Sequence, residues 1–406
     1  EGILDQLYKK YRRLHSFEKL AIKIGKSMLV QTQITNFFKS HPFPKLEVVL
    51  DYSMAITKDL VELCQYCDSV RSNELQNATT FMKAVQSKSC RTEVLKEATL
   101  KFHITKENYT YLQYMKELQQ CSVLDLAIRE QSYIKPEELF RFIRLPPNLK
   151  KLGWRVSMSS LPSHCSSNFS KLCRHQEELK GDSVYSQFIK DNPFDKLTSM
   201  TIIVDKGLTE NPNMGPNQNI EPFLYLILQK CLNLKKFNLK AFVNTDLTLT
   251  LNHLAYFLPK QLREISLYDI IWISQEDIPH CQSLQALHTI KLILKALEGE
   301  KKIFFHGFRR FLAQLNHDLI IRNFSLVIKN LDCELVEALL ESRVVLRCER
   351  IELGTLIAPK KELIQQLLRL PIDNKHLKAL ELECTDENDL FEDIMTALRM
   401  IPNNLR

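Results

Sequence analysis

The stretch Leu234-Lys235-Lys236-Phe237-Asn238-Leu239 has apolar residues at its first, fourth and sixth positions. The same arrangement returns as Leu262-Arg263-Glu264-Ile265-Ser266-Leu267, 28 residues further along the chain. In both copies the last four residues alternate between polar and apolar, which is the period of a β-strand with one buried face. We therefore interpret each copy as a short strand that buries its apolar side chains.

This apolar-x-x-apolar-x-apolar pattern recurs along most of the chain. Further copies begin at Cys121, Leu149, Leu197, Leu287, Ile321, Cys348 and Leu377, with an upstream copy at Phe43 and a partial one at Leu100. The fourth positions of the main copies are 124, 152, 200, 237, 265, 290, 324, 351 and 380, so the steps between them run from 25 to 48 residues. Near 284–292 the frame is ambiguous, because Cys281-x-x-Leu284-x-x-Leu287 competes with the copy at Leu287. Steps of this size indicate an internal repeat.

Segments with the apolar spacing of helices lie between several copies. They are Glu221–Lys230, Lys302–Leu315, Glu334–Leu340, Pro359–Leu370 and Glu387–Met400. A single strand and helix cannot bury an apolar face alone, whereas stacked copies can. We expect insertions near 157–195 and 205–220, where Ser-rich and Asn-, Pro- and Gly-containing stretches are typical of loops.

With this alternation of strands and helices, the chain resembles leucine-rich repeat proteins of the ribonuclease-inhibitor-like type from residue 43 to residue 406. The resemblance implies an α/β fold, namely an irregular solenoid with parallel strands on its concave face and helices on its convex face. The copy Cys231-x-x-Leu234-x-x-Phe237 also resembles the cysteine-containing repeats of F-box proteins. The Asn or Cys that the family usually places three residues after the last motif leucine is missing, as at Phe242 and Ile270, so we expect uneven turns. The alternative is an all-helical solenoid of the HEAT or armadillo type, which the strand-like stretch Thr201–Val204 disfavours.

In this family the outward residues of the strands line the concave face, so the resemblance implies a docking surface for a protein partner. The residues that we predict to bind the partner are Lys151, Arg155, Lys236, Asn238, Lys240, Tyr268, Glu352, Glu381 and Glu383. Other outward positions in the same pattern are Thr201, Glu264, Ser266, Lys291, Asn323, Ser325 and Arg350. In chain order this surface runs from basic to acidic, which could orient a charged partner.

The amino-terminal segment carries most of the excess positive charge. Residues 1–45 hold nine basic and three acidic side chains, a net charge of +6 out of +7 for the chain. We expect two amphipathic helices there, Leu4–Leu14 and Phe17–Phe38, which would cap the first repeat. Alternatively the segment is a basic docking arm, with Lys9, Lys10, Arg12 and Arg13 as its contacts. We therefore divide the chain into a basic helical cap or arm (1–42), divergent repeats (43–148) and a repeat solenoid (149–406).

Several classes of chemistry lack their sequence signatures. The nine glycines never form GxGxxG or GxxxxGK, and neither HExxH nor GxSxG occurs. We therefore expect no catalytic activity, cofactor or small-molecule substrate. We also expect no metal, since Cys64-x-x-Cys67 fits a packed helix face better than a zinc site. No apolar run reaches the length of a membrane span. Eleven cysteines without a disulfide pattern indicate a reducing compartment, cytoplasm or nucleus, although a removed targeting peptide stays open.

The function that we predict is a non-catalytic scaffold for protein–protein interaction, as a structural subunit of a larger assembly. One alternative is a substrate-recognition subunit of a ubiquitin ligase, by resemblance to F-box repeat proteins, although residues 1–42 show no convincing F-box. Another alternative is a structural subunit of a ribonucleoprotein that contacts RNA through the basic amino terminus.

Overall fold

A parallel β-sheet is the dominant feature of the computed structural model, which describes more than half of the chain. The described residues are 20–24, 36–37, 39–40, 46–50, 54–55, 62, 69–72, 75–76, 99–104, 108–119, 121–128, 136–157, 184–205, 221–241, 247–250, 254, 256–273, 282–295, 308–315, 318–328, 333–356 and 361–384. Every pairing between described strands is parallel. The protein is therefore of the α/β class. It divides into two compact units, Glu1–Ser160 with Lys180–Leu197, and Leu161–Leu179 with Thr198–Arg406.

The first unit contains two sets of parallel strands. Its strands are β1 (Leu20–Ile24), β2 (Leu46–Leu50), β3 (Met54–Ala55), β4 (Ser69–Ser72), β5 (Leu75–Gln76), β6 (Thr99–Ile104), β7 (Val123–Ile128) and β8 (Lys151–Ser157). One set runs in the order β1-β2-β4, and the other in the order β3-β5-β6-β7-β8. Its described helices are α1 (Pro136–Phe142), α2 (Val184–Asp191) and the 3-10 segments Tyr109–Glu117 and Phe194–Lys196.

The amino-terminal prediction is wrong in one element. We expected a helix over Phe17–Phe38, but Leu20–Ile24 is strand β1 and pairs with β2 from Leu20↔Leu46 to Ile24↔Leu50. The stretch Leu-Ala-Ile-Lys-Ile suits a strand because β-branched isoleucines alternate with other residues. A wholly helical cap over 1–42 is therefore incorrect. The expected helix Leu4–Leu14 and the basic arm residues Lys9, Lys10, Arg12 and Arg13 lie outside the described residues.

An aromatic cluster forms the core of the first unit between its helices and β8. Phe140 on α1 lies with its ring centroid 5.7 Å from that of Trp154 on β8 and 4.9 Å from that of Phe188 on α2. An ion pair of 2.9 Å joins Arg144 to Asp191 at the ends of the two helices. Helix α2 falls within the region 157–195 where we expected an insertion, so part of that region is regular structure.

The second unit continues the strand pattern over its whole described length. Its strands are β9 (Ser199–Asp205), β10 (Lys236–Ala241), β11 (Leu247–Thr250), β12 (Glu264–Ile273), β13 (Thr289–Lys295), β14 (Asn323–Ile328), β15 (Arg350–Leu356) and β16 (Ala379–Cys384). The order is β9-β10-β12-β13-β14-β15-β16, and β11 pairs with the distal half of β12. The helices are α3 (Glu221–Leu228), α4 (Cys333–Glu341), α5 (Lys361–Asp373) and the 3-10 segments Gln282–Ala286 and Val344–Arg347. Residues 308–313 are also helical, within the helix that we expected over Lys302–Leu315. The expected helix Glu387–Met400 lies outside the described residues.

The fourth motif positions pair with one another across the sheet of the second unit. The aligned residues are Met200, Phe237, Ile265, Ile290, Phe324, Ile351 and Leu380. All but Leu380 are completely buried, and they form an apolar spine. The pairing of Ile265 with Ile290 resolves the ambiguous frame near 284–292 in favour of the copy at Leu287. The connections differ in length, from 15 residues between β12 and β13 to 30 between β9 and β10, yet the motif positions stay aligned, and the register shifts only beyond them, after Tyr268 and after Leu353.

A recurring hydrogen bond at the amino ends of the strands fixes this register. The carbonyl of Thr198 accepts from the N–H groups of Lys235 (2.9 Å) and Lys236 (3.1 Å). The carbonyl of Lys235 accepts in the same way from Arg263 (2.9 Å) and Glu264 (3.0 Å). Two donors on one carbonyl leave no freedom for a one-residue slip, which would turn every apolar side chain to the opposite face.

Buried asparagines connect each of two helices to the preceding motif copy. Asn374 follows α5, and its Nδ2 donates to the carbonyls of Val345 and Cys348, both at 2.7 Å, while its Oδ1 accepts from the N–H of His376 at 2.8 Å. Asn192 after α2 makes equivalent bonds to the chain after α1, accepting from the N–H of Leu145. These amides satisfy backbone groups that would otherwise be buried without partners.

Substituting Gly354→Ala should lower the free energy of unfolding by about 1–3 kcal/mol, the usual range for overpacking. A Cβ at this position on β15 would lie 2.9 Å from the Cα of Val327 and 2.7 Å from its Cγ1, and the backbone atom cannot rotate away. Urea unfolding followed by circular dichroism measures the change. Lys240→Ala on the same sheet is the control and should stay within about 0.5 kcal/mol. Equal stability of both variants would contradict the close approach.

Substituting Asn374→Ala should lower the free energy of unfolding by about 2–4 kcal/mol, since three hydrogen bonds are lost and two carbonyls remain buried. The matched control is Asn148→Ala, because Asn148 is exposed and its Nδ2 donates to the carbonyl of Gln119 at 2.9 Å. This control should cost less than about 1 kcal/mol. The same urea titration compares the two variants, and similar midpoints would show that Asn374 is not a structural link.

Candidate interaction surface

Polar side chains of the second unit project from one face of the sheet because the strands alternate in and out. On β10, Phe237, Leu239 and Ala241 are fully buried, while Lys236 and Lys240 are exposed and Asn238 is half-buried. On β12, Glu264 and Tyr268 are half-buried on the polar side, opposite the buried Ile265 and Leu267. The face that we predicted from the sequence pattern is thus the face that the strands present.

The parallel register sorts these polar residues into rows that cross the strands. The longest row, which we call the central row, is Thr201, Asn238, Ser266, Lys291, Ser325, Glu352 and Glu381. Ser266 and Ser325 are only 5 % exposed on either side of Lys291, so that lysine stands among small residues. Asn238 donates from its Nδ2 to the Thr201 Oγ1 at 3.0 Å, which ties two strands of the row together.

An open groove of about 380 Å³ lies on this face. Its lining residues come from β9, β10, β12, β13 and β14 and are Thr201, Ile203, Lys236, Asn238, Lys240, Glu264, Ser266, Tyr268, Thr289, Lys291 and Asn323. Four of the predicted partner-binding residues, Lys236, Asn238, Lys240 and Tyr268, are therefore brought together. Ile203 and Thr289 were missing from the prediction. Thr289 precedes Ile290 as Lys236 precedes Phe237, so the two residues occupy the same position in their motif copies. Thr289 could therefore have been predicted from the position of Lys236.

The groove carries a positive charge that is partly compensated. Its lining holds three lysines and one glutamate, a net charge of +2. Lys236 Nζ lies 3.0 Å from Glu264 Oε2 on the neighbouring strand, so these two charges cancel at the surface. Lys240 and Lys291 have no ion pair in the described part of the chain, which leaves them as the groove's uncompensated cations.

The predicted acidic end lies further along the same unit and is also partly neutralised. Glu352 and Glu381 are neighbours in the central row, and Arg350 bonds Glu381 at 2.5 Å. Glu383 lies in β16, and its side chain is outside the described residues. Lys151 and Arg155 belong to β8 of the first unit, where they alternate with the buried Leu152, Trp154 and Val156. The simple gradient from basic to acidic is thus interrupted by cross-strand ion pairs.

Cys121 and Cys348 lie outside this face and are buried in the apolar core. Burial raises the pKa of Cys121 and of Cys348 to about 12, so both thiols are protonated at neutral pH. No group of three or more His, Cys, Asp and Glu that could hold a metal ion occurs among the described residues. Cys64 and Cys67 lie outside them. Within the same described ranges, no helix has both the length and the apolar character that a membrane crossing requires.

Comparison with known proteins adds no family to this description. No protein-family model matches the chain, and no curated protein matches it at a significant level.

Proposed function

We propose that this chain is a leucine-rich-repeat-type solenoid that acts as a non-catalytic protein-interaction subunit. The observation that carries the proposal is the open groove, whose lining comes from successive strands held in one register. The repeated motif, the apolar spine and the parallel pairing support the repeat assignment. In a solenoid, such a face offers a partner an extended surface of similar, neighbouring sites.

The side chains of the groove suit recognition of a protein surface. Tyr268 supplies an aromatic side chain, and tyrosine is enriched among residues that dominate binding energy. Asn238, Thr289 and Asn323 provide further hydrogen-bonding groups in the lining, and Lys240 and Lys291 provide two cations without an ion pair among the described residues. A partner with carboxylates and a central apolar contact would complement this lining.

The ubiquitin-ligase and ribonucleoprotein alternatives depend on residues 1–42, most of which lie outside the described residues. Recovery of a Skp-type adaptor would favour the first, and salt-sensitive binding to RNA would favour the second. The reducing compartment that the cysteines suggest likewise stays a prediction.

Reversing the two uncompensated cations with Lys240→Glu and Lys291→Glu should reduce recovery of a stoichiometric partner at least tenfold. Each ion pair that is lost between one of these lysines and a carboxylate of the partner contributes about 0.2–1 kcal/mol to binding. The introduced glutamates also repel the partner's carboxylates. Affinity purification of the tagged full chain with quantitative mass spectrometry measures the recovery. The matched control reverses Arg369 and Lys375, which are exposed on and after α5.

The control variant should recover the partner as the unchanged chain does. Thermal unfolding of both variants checks that each is folded, and Lys240→Gln with Lys291→Gln provides a milder pair. If a stoichiometric partner is recovered equally by the reversed, the neutral and the control variants, the groove is not its binding surface.

A further inference from the structure

A second charged surface borders the groove at the amino ends of four neighbouring strands. The residues that immediately precede β10, β12, β13 and β14 are Lys235, Arg263, His288 and Arg322, which we call the basic edge row. Backbone hydrogen bonds join them in sequence: Arg263 N–H to the Lys235 carbonyl (2.9 Å), His288 N–H to the Arg263 carbonyl (3.0 Å) and Arg322 N–H to the His288 carbonyl (2.8 Å). The four residues are therefore bonded neighbours through their backbones, although 25 to 34 residues separate successive members along the chain.

The charges of the basic edge row are accessible and uncompensated. Lys235, Arg263 and Arg322 are exposed, and none has an ion pair in the described part of the chain. The adjacent carboxylates are already engaged, since Glu264 pairs with Lys236 at 3.0 Å and Glu349 pairs with Lys378 at 3.2 Å. The second of these pairs lies on the strands beyond Arg322 and ends the row on that side.

His288 lies in the middle of the row, between the two arginines. Its Nδ1 is buried and has no hydrogen-bond partner among the described residues. Burial lowers the pKa of His288, the positive charges of Arg322 and Arg263 lower it further, and Glu264 opposes them. Like charges gathered on one edge repel each other, so an anionic partner would relieve a cost that the free protein carries.

We infer that the basic edge row binds an acidic segment of a partner protein, with its carboxylates on one face of a helix. Strands in a sheet lie about 4.8 Å apart, so the four positions span about 14 Å. Residues three or four apart on a helix have Cβ atoms about 5–6 Å apart, and ten helical residues extend about 15 Å. Glutamates on successive turns of a helix would therefore meet successive cations of the row.

A nucleic acid fits this edge less well than an acidic protein segment. Single strands are held by aromatic side chains on which bases stack, in addition to basic residues. Neither the basic edge row nor the row beside it, which consists of Lys236, Glu264, Thr289 and Asn323, contains Phe, Tyr or Trp. The edge thus offers regularly spaced charge without the large aromatic side chains on which bases usually stack.

The test uses the full chain and a stapled helical peptide with glutamates on one face at successive turns, measured by fluorescence anisotropy at low salt. A peptide with glutamines in the same positions and an oligouridylate are the comparison probes. The chain should bind the glutamate peptide at least tenfold more tightly than either of them. Arg263→Glu with Arg322→Glu should weaken that binding at least tenfold, and Arg263→Gln with Arg322→Gln should weaken it less.

Two control variants separate this surface from the groove. Reversal of Arg369 and Lys375 should change the affinity by less than about twofold, because α5 is not part of the row. Reversal of Lys240 and Lys291 should leave most of the affinity for the peptide even if it removes the groove's partner. Thermal unfolding confirms that each variant is folded.

Three results would overturn the inference. The first is equal affinity of the unchanged chain and both Arg263/Arg322 variants for the glutamate peptide. The second is no binding of that peptide at millimolar concentration. The third is tighter binding of the oligouridylate that depends on the same arginines, which would assign the row to a nucleic acid.

Discussion

The parallel register between successive strands is the constraint on which the other features depend. The carbonyls that precede β9, β10, β12, β13 and β15 each accept from two N–H groups before or at the start of the next strand, as those of Thr198 and Lys235 do, so equivalent motif positions are held in line. The buried spine through Phe237, Ile265 and Ile290 follows from that alignment, and so do the polar rows on the opposite face. Successive side chains of a strand point to opposite faces of the sheet. A slip of one residue would therefore expose the buried spine and bury the polar rows.

Except near 284–292, where two frames competed, the repeated motif predicted which residues pair across the sheet of the second unit, because equivalent positions of each copy bury similar apolar side chains. It could not predict strand β1, where Leu20–Ile24 lies inside a stretch whose apolar residues also fit a helix. The role of Asn374 was also beyond the pattern, since a buried amide is recognised by the carbonyls around it and these come from another motif copy. The basic edge row was not predicted, because its residues occupy the second position of each motif copy, where the pattern requires no particular residue type.

Charge on the polar face is organised by pairs across strands more than by a gradient along the chain. Lys236 with Glu264 and Arg350 with Glu381 each neutralise part of the end to which the sequence assigned them. Among the described residues, cations without an ion pair remain between and beside these pairs, at Lys240 and Lys291 in the groove and at Lys235, Arg263 and Arg322 along the edge. Exposed ion pairs add little stability. Their main effect here is to limit the places where an anionic partner gains by binding.

The unequal connections between strands have a consequence for how such a chain can diverge. The link between β9 and β10 is twice as long as the link between β12 and β13, yet both deliver the next strand in the same register. Natural variation can therefore lengthen or shorten a link while every strand keeps its place in the sheet. Gain or loss of a single codon within a strand would instead turn the side chains beyond it to the opposite face, and selection should remove such a change. Lineages of this fold are expected to accumulate length differences in the links between strands and almost none within the strands of the polar face.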